Sequence, residues 1–117
     1  MIRVYVAGAY SANNVTDVLG NMRRGMQLSY KVLKAGFAPF VPWFDYHFSL
    51  IGDVTLQEYY DYTLAWLRVS DAMILVPENL NQSIGTQNEI TLAKELAIPI
   101  FTDLEELITY HKQGGLI

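Results

Sequence analysis

Glu89 closes the polar stretch Ser83-Ile-Gly-Thr-Gln-Asn-Glu89, which follows the apolar run Ala72-Met-Ile-Leu-Val76 and Pro77. A carboxylate at this place has two chemical uses: it caps a helix, or it attacks a sugar carbon. Thr86-Gln-Asn-Glu89 fits a capping box, with Thr86 at the cap and Glu89 reaching back to a backbone N–H. Ser83 is also a good cap, and Gly85 permits close backbone approach. With a helix opening near Ser83, its free N–H groups and dipole form an anion site. Glu89 then lies in the second turn, beside Ile90 and Ala93 on the inner side. A carboxylate there is costly to bury unless it has partners or a task. Tyr5 is a candidate partner, because its hydroxyl can reach Glu89 if the first and third strands adjoin. The alternative for Tyr5 is a core tyrosine with a solvated tip.

Two further stretches carry polar or aromatic groups. Gly8-Ala-Tyr-Ser-Ala-Asn-Asn14 is small and polar, and can bring backbone N–H groups close to a ligand; an ordinary turn explains it as well. Phe44 to Thr55 shows no clear period and reads as an aromatic loop, either covering a pocket and stacking on a flat ring or filling a gap in a small core. Asp45 and His47 within it are candidate proton donors or base contacts, or satisfied loop residues.

The elements that must hold these groups can be read from hydrophobic spacing. Met1 to Gly8 is a β-branched run and predicts a buried first strand. From about Asn21 to Ala35, Met22, Met26, Leu28, Val32 and Leu33 recur at helical spacing, and Gly36 ends the run. Phe37 to Trp43 predicts a short strand whose prolines suit a sheet edge. Leu56 to Val69 is helical, with Leu56, Tyr60, Thr63, Leu64 and Leu67 on one side. Asp71 begins the third strand, and the helix after the central loop turns Ile90, Ala93, Leu96 and Ala97 inward. Ile98 to Phe101 is the fourth strand, Asp103 caps a last helix to about His111, and the tail from Lys112 is a frayed end or an arm against a neighbouring subunit. This alternation predicts a single α/β domain over residues 1–117, Rossmann-like (flavodoxin-like), with three layers and a four-to-five-stranded parallel sheet. Ligands in such sheets lie beyond the carboxyl ends of the strands.

Composition narrows the chemistry. With 117 residues, about half of them apolar and 17% charged, the chain is long enough to bury a real core. The net charge is −4 and the few Lys and Arg are scattered, so no basic stripe for a nucleic-acid polymer is present. No Cys occurs, which excludes a disulfide scaffold, thiolate zinc sites and a cysteine nucleophile. The two histidines, His47 and His111, have no metal-site spacing, so no metal and no cofactor is expected. The absence of a signal-like or membrane-length apolar run makes a soluble cytoplasmic protein the expectation.

Taken in order, several short segments resemble the nucleoside 2-deoxyribosyltransferase-like superfamily, which includes the 2′-deoxynucleoside 5′-monophosphate N-glycosidases. They are Val4-Tyr-Val-Ala-Gly-Ala-Tyr10, Asn21-Met-Arg-Arg24, Gly36-Phe-Ala-Pro-Phe-Val-Pro42, Leu64-Ala-Trp-Leu67 with Ser70-Asp71, and Ser83-x-Gly85-x-x-x-Glu89. The resemblance implies that Glu89 attacks the anomeric carbon and that Tyr5 positions it. It implies further that Ser83, with the Gly85 backbone, meets the 5′ end of the substrate. A Ser there, in place of an Asp, avoids repelling a phosphate, so among nucleosides and nucleoside monophosphates the resemblance leans toward the monophosphates. Gly8, Tyr10, Trp43, Asp45 and His47 would line the base and sugar pocket, and the assembly would be a homo-oligomer. Breaking an N-glycosidic bond builds an oxocarbenium-like centre that a carboxylate can stabilise or trap, and the departing base needs a proton. Gly85-Thr-Gln-Asn-Glu89 is also similar to the Gly-Thr-x-x-Glu of cytokinin-activating phosphoribohydrolases, which are longer and carry paired glycines before it.

The chain departs from the superfamily pattern at Thr63, where an Asp is usual. Thr63 can hydrogen-bond but is no acid at neutral pH. Asp61, two residues earlier, is about 200° round a helix and faces elsewhere. Three functional expectations follow: a glycosidase or transferase acting through Glu89, a nucleotide-binding module without turnover, or an oligomeric assembly component in which Glu89 is a cap.

Overall fold

The computed structural model describes residues 1–77 and 84–116, with the side chain of Ile84 excepted. The elements are β1 (Arg3–Ala7), α1 (Val15–Lys34), β2 (Ala38–Phe40), a 3₁₀ helix (Pro42–Leu50), α2 (Leu56–Leu67), β3 (Ala72–Leu75), α3 (Ile84–Glu95), β4 (Ile100–Phe101) and α4 (Leu104–Lys112). Every strand pair is parallel, and the sheet order is β2-β1-β3-β4. This is the flavodoxin-like three-layer arrangement. β1 and β3 are central, with Tyr5 opposite Met73 and Ala7 opposite Leu75.

Strand alternation divides the core in two. Val4, Val6, Ala72 and Ile74 join Val32 of α1, Trp43, Phe101 and Leu107 of α4 on one face. Tyr5, Ala7 and Met73 join Leu67 of α2 and Ala93 of α3 on the other. Tyr5 is therefore carried to the α2–α3 side because its neighbours Val4 and Val6 are claimed by the opposite one.

Local signals set the helix starts. Asn14 caps α1, its Oδ1 accepting from Asp17 N at 2.8 Å, while Lys31 and Lys34 sit in the last turn where the dipole favours cations. Thr55 and Glu58 form a complete capping box on α2. Asp103 caps α4.

The sequence-based boundaries shift in four places. α1 begins at Val15 rather than near Asn21, because the Asn14 cap starts the helix ahead of its apolar stripe. The strand expected over Phe37 to Trp43 keeps only Ala38–Phe40, and Pro42–Leu50, expected as its end and the start of an aromatic loop, wind into a 3₁₀ helix opened by a proline. Leu56 and Leu96, expected inward, are exposed. The tail is not simply frayed, since Leu116 packs into the core while residues 112–115 before it are exposed.

Trp43 ties α1 to the 3₁₀ helix. It is 1% exposed, its indole N–H donates to the Ala9 carbonyl at 3.1 Å, and its ring fills the space over Gly25. A Cβ at Gly25 would stand 2.5 Å from three ring atoms of Trp43. Helix propensity alone favours alanine at this position by about 1 kcal/mol. The clash outweighs it, so Gly25→Ala is expected to lower unfolding free energy by about 1–2 kcal/mol in urea titration, within the range for overpacked sites.

Candidate functional site

Tyr5 lies at the carboxyl half of β1, wholly buried, with its ring stacked on Phe40 of β2 at 5.3 Å between centroids. Phe40 in turn stacks on Trp66 of α2 at 5.7 Å. The stack fixes the ring and directs the hydroxyl toward α2 and α3. There the hydroxyl faces the Glu89 carboxyl and the Thr63 hydroxyl, yet closes no regular hydrogen bond with either. Burial raises the Tyr5 hydroxyl well above its ordinary value, and the negative charge of Glu89 adds to this.

Glu89 stands in the second turn of α3, whose register begins at Ile84. Thr86 is consequently inside the helix and 1% exposed, rather than at its boundary. Of the two readings of the sequence, the Thr86–Glu89 capping box thereby gives way to an inward carboxylate. Part of the Glu89 side chain keeps some exposure, while Oε2 is enclosed and has no hydrogen-bond partner among the described residues. Desolvation pushes its pKa from 4.5 to about 7, against the opposing pull of the Tyr5 hydroxyl. A carboxyl held near neutrality beside an oriented phenol can act as a nucleophile or as a proton carrier.

A second buried carboxyl lies on the 3₁₀ helix. Asp45, two residues after Trp43 on the 3₁₀ helix, is 6% exposed, and its Oδ1 is enclosed without a hydrogen-bond partner. Burial lifts its pKa from 3.8 to about 6, and the Tyr10 hydroxyl, directed at the carboxyl, partly offsets the rise. The Asp45 charge is felt at both Tyr10 and Tyr5. Tyr10 is held from behind, where its carbonyl accepts from Asn21 Nδ2 at 3.2 Å. Asn21 Oδ1 accepts in turn from Arg24 Nη2. Tyr46 and Tyr59 also lie near the Tyr10 hydroxyl.

The structure thus sets Tyr5 against Glu89 with Thr63 beside them, and Asp45 against Tyr10, the Asp45 charge being felt at Tyr5. Thr63 is 8% exposed and its hydroxyl donates to the Tyr60 carbonyl at 3.3 Å, whereas Asp61 is exposed and accepts from Gln57. Gly8 follows β1, and Gly85 lies in the first turn of α3. Ser83 lies outside the described residues. Two expectations are corrected. Trp43 does not line an open pocket, because its ring is spent on the α1 contact. His47 is exposed on the 3₁₀ helix with Nδ1 on the Phe44 carbonyl, and is not among the groups acting on Asp45, Tyr10 or Tyr5.

The Phe40–Trp66 support for Tyr5 is not legible in the sequence. A period-two pattern in β2 would have pointed to Phe40, but two flanking prolines obscured it. Two open grooves, one on the outer face of α1 around Leu19, Met22, Met26 and Tyr30, the other between β4 and α4, contain none of the clustered residues. Among the described residues no helix is long and apolar enough to cross a membrane.

Neither a family model nor a curated protein matches the sequence. Among solved structures, the chain is similar to a 2-deoxyribosyltransferase from the psychrotolerant bacterium Bacillus psychrosaccharolyticus. The superposition has a TM-score of 0.56 at 15% identity, covering 84% of this chain and 69% of that one. At that identity the likeness is one of fold.

Proposed function

We propose that this protein cleaves or transfers at the N-glycosidic bond of a nucleoside or nucleoside 5′-monophosphate, with Glu89 as the nucleophile. The observation that carries the reading is the enclosed, unpartnered Glu89 Oε2 beside the Tyr5 hydroxyl, on the helix that follows a central strand. The fold shared with a 2-deoxyribosyltransferase supports it. Tyr5 orients the carboxylate. The first turn of α3, with Gly85, offers backbone N–H groups to a 5′-hydroxyl or phosphate. Ionised Glu89 attacks C1′ as the bond to the base opens, and water or an acceptor base resolves the ester.

The test is base release from a panel of deoxynucleosides and their monophosphates, separated by liquid chromatography. Activity is expected to rise with pH through about 7, as Glu89 ionises. In Tyr5→Phe the rising limb is expected to move to higher pH, because the hydroxyl that favours the carboxylate is gone. A panel without any base release contradicts the reading.

Thr63, at the place where the resembled superfamily has an acid, favours a second reading: a nucleotide site without turnover. Calorimetric binding of a nucleoside monophosphate, with no base released, would select it.

A further inference from the structure

We infer that Asn21, its amide oriented by Arg24, is a positioning residue that fixes the β1–α1 loop as one wall of the substrate crevice. The inference rests on the reading of Glu89 as nucleophile and gives a task to Asn21-Met-Arg-Arg24, a segment that reading leaves idle. The strand order β2-β1-β3-β4 places the crevice. β1 leads through α1 to β2, and β3 leads the other way, through α3, to β4. The β1–α1 loop and the helix carrying Glu89 therefore flank the switch point at the carboxyl ends of two paired strands. Two buried side chains pin that loop at successive carbonyls. The Trp43 indole N–H donates to the Ala9 carbonyl at 3.1 Å, and Asn21 Nδ2 donates to the Tyr10 carbonyl at 3.2 Å. Both anchors hold the loop from the interior, since Trp43 is 1% exposed and Asn21 7%.

The pinning decides what the loop shows on its other side. Across a trans peptide the N–H lies opposite the carbonyl that precedes it. With the Ala9 and Tyr10 carbonyls turned to Trp43 and Asn21, the N–H groups of Tyr10 and Ser11 point away from both anchors. Among the described residues neither N–H donates to a backbone carbonyl, so two adjacent donors are left for an oxygen of the substrate. Arg24 sets which way round the amide sits. A guanidinium has donors only, so it meets Oδ1 of Asn21 and leaves Nδ2 for the Tyr10 carbonyl. That use of an arginine is costly. Arg24 is partly buried, its Nε is enclosed without an acceptor, and among the described residues it has no carboxylate partner. Orienting one amide gains little stability in return, whereas a crevice wall that presents two N–H groups in register gains a fixed geometry.

The experiment measures kcat and KM for base release from the four common 2′-deoxynucleoside 5′-monophosphates, in native protein and in Asn21→Asp. Aspartate keeps the shape and the oxygen that accepts from Arg24, and loses only the donor to Tyr10. KM should rise about tenfold, the scale of one positioned hydrogen bond, with kcat within about twofold because Glu89 and Tyr5 are untouched. Arg24→Met should raise KM in the same direction, and Arg24→Lys should restore most of it, since an ammonium also donates only and meets Oδ1. A merely structural role lowers kcat with the amount of folded protein and leaves KM alone. An unchanged KM in Asn21→Asp, or a fall in kcat as large as the rise in KM, overturns the assignment and leaves Glu89 standing. Glu89→Gln, run alongside, should lose kcat; if it does not, the reading of Glu89 fails whatever Asn21→Asp shows. Native protein that releases none of the four bases overturns the two readings together.

Discussion

Glu89→Gln is expected to abolish base release and, above neutral pH, to unfold at higher urea than the native protein. The loss of activity should be at least about a thousandfold, because an amide cannot form the glycosyl ester. The gain in stability follows from linkage. The folded-state pKa of Glu89, about 7, is raised above its ordinary 4.5, so the folded protein holds this proton more tightly than the unfolded chain does. The stabilisation from the neutral carboxyl is fully present below about 4.5 and is lost as pH rises through about 7. The rise is equivalent to up to about 3 kcal/mol. Glutamine has nearly the same shape and no charge, and escapes that cost at high pH. Denaturation of both proteins at pH 4 and pH 8 should give similar midpoints at the lower pH and a more stable variant at the higher. A cap role for Glu89 predicts the opposite, a loss of about 1 kcal/mol.

The second large effect concerns Trp43. Trp43→Ala should cost about 3–5 kcal/mol, the range for emptying a buried aromatic site. It removes a fully buried ring from the core, opens a cavity over Gly25 and leaves the Ala9 carbonyl without its indole donor. Domains of this kind are stable by about 5–15 kcal/mol, so the variant should be marginal at 37 °C. Trp43→Phe should retain most of the packing and lose the bond to Ala9, a smaller cost. Chemical denaturation of the two variants separates packing from hydrogen bonding. A cost below about 1 kcal/mol for the alanine variant would mean that the ring is not a structural anchor.

These expectations show what the sequence carries and what it does not. The β-branched run of β1 and the apolar run of β3 announce buried central strands, and their separation by two helical segments predicts parallel pairing. Tyr5 and Glu89 were legible as partners because strand alternation and helical spacing each leave one inward face. The capping box was equally legible and did not form. Both Ser83 and Thr86 satisfy the local pattern, and only the tertiary position of α3 chooses a start at Ile84. Asp45 lies in a stretch without period and Trp43 at the end of a strand-like run, since a 3₁₀ helix has three residues per turn and gives neither the strand nor the α-helix signal. Their fates, one in the core and one beside Tyr10, depend on the glycine at position 25 far along the chain. Helical spacing puts Thr63 on the inner side of α2 and Asp61 on the outer, and the structure has them there.

The central claim is that Glu89 takes the sugar. It is tested most directly by peptide mass spectrometry after incubation with a 2′-deoxy-2′-fluoroarabinonucleotide of a base that the protein releases. Fluorine beside C1′ destabilises the oxocarbenium-like transition state and slows breakdown of the ester. The account predicts a fluoroarabinosyl adduct on the peptide containing Glu89, absent in Glu89→Gln. Base release without any adduct, or an adduct on another residue, would contradict it.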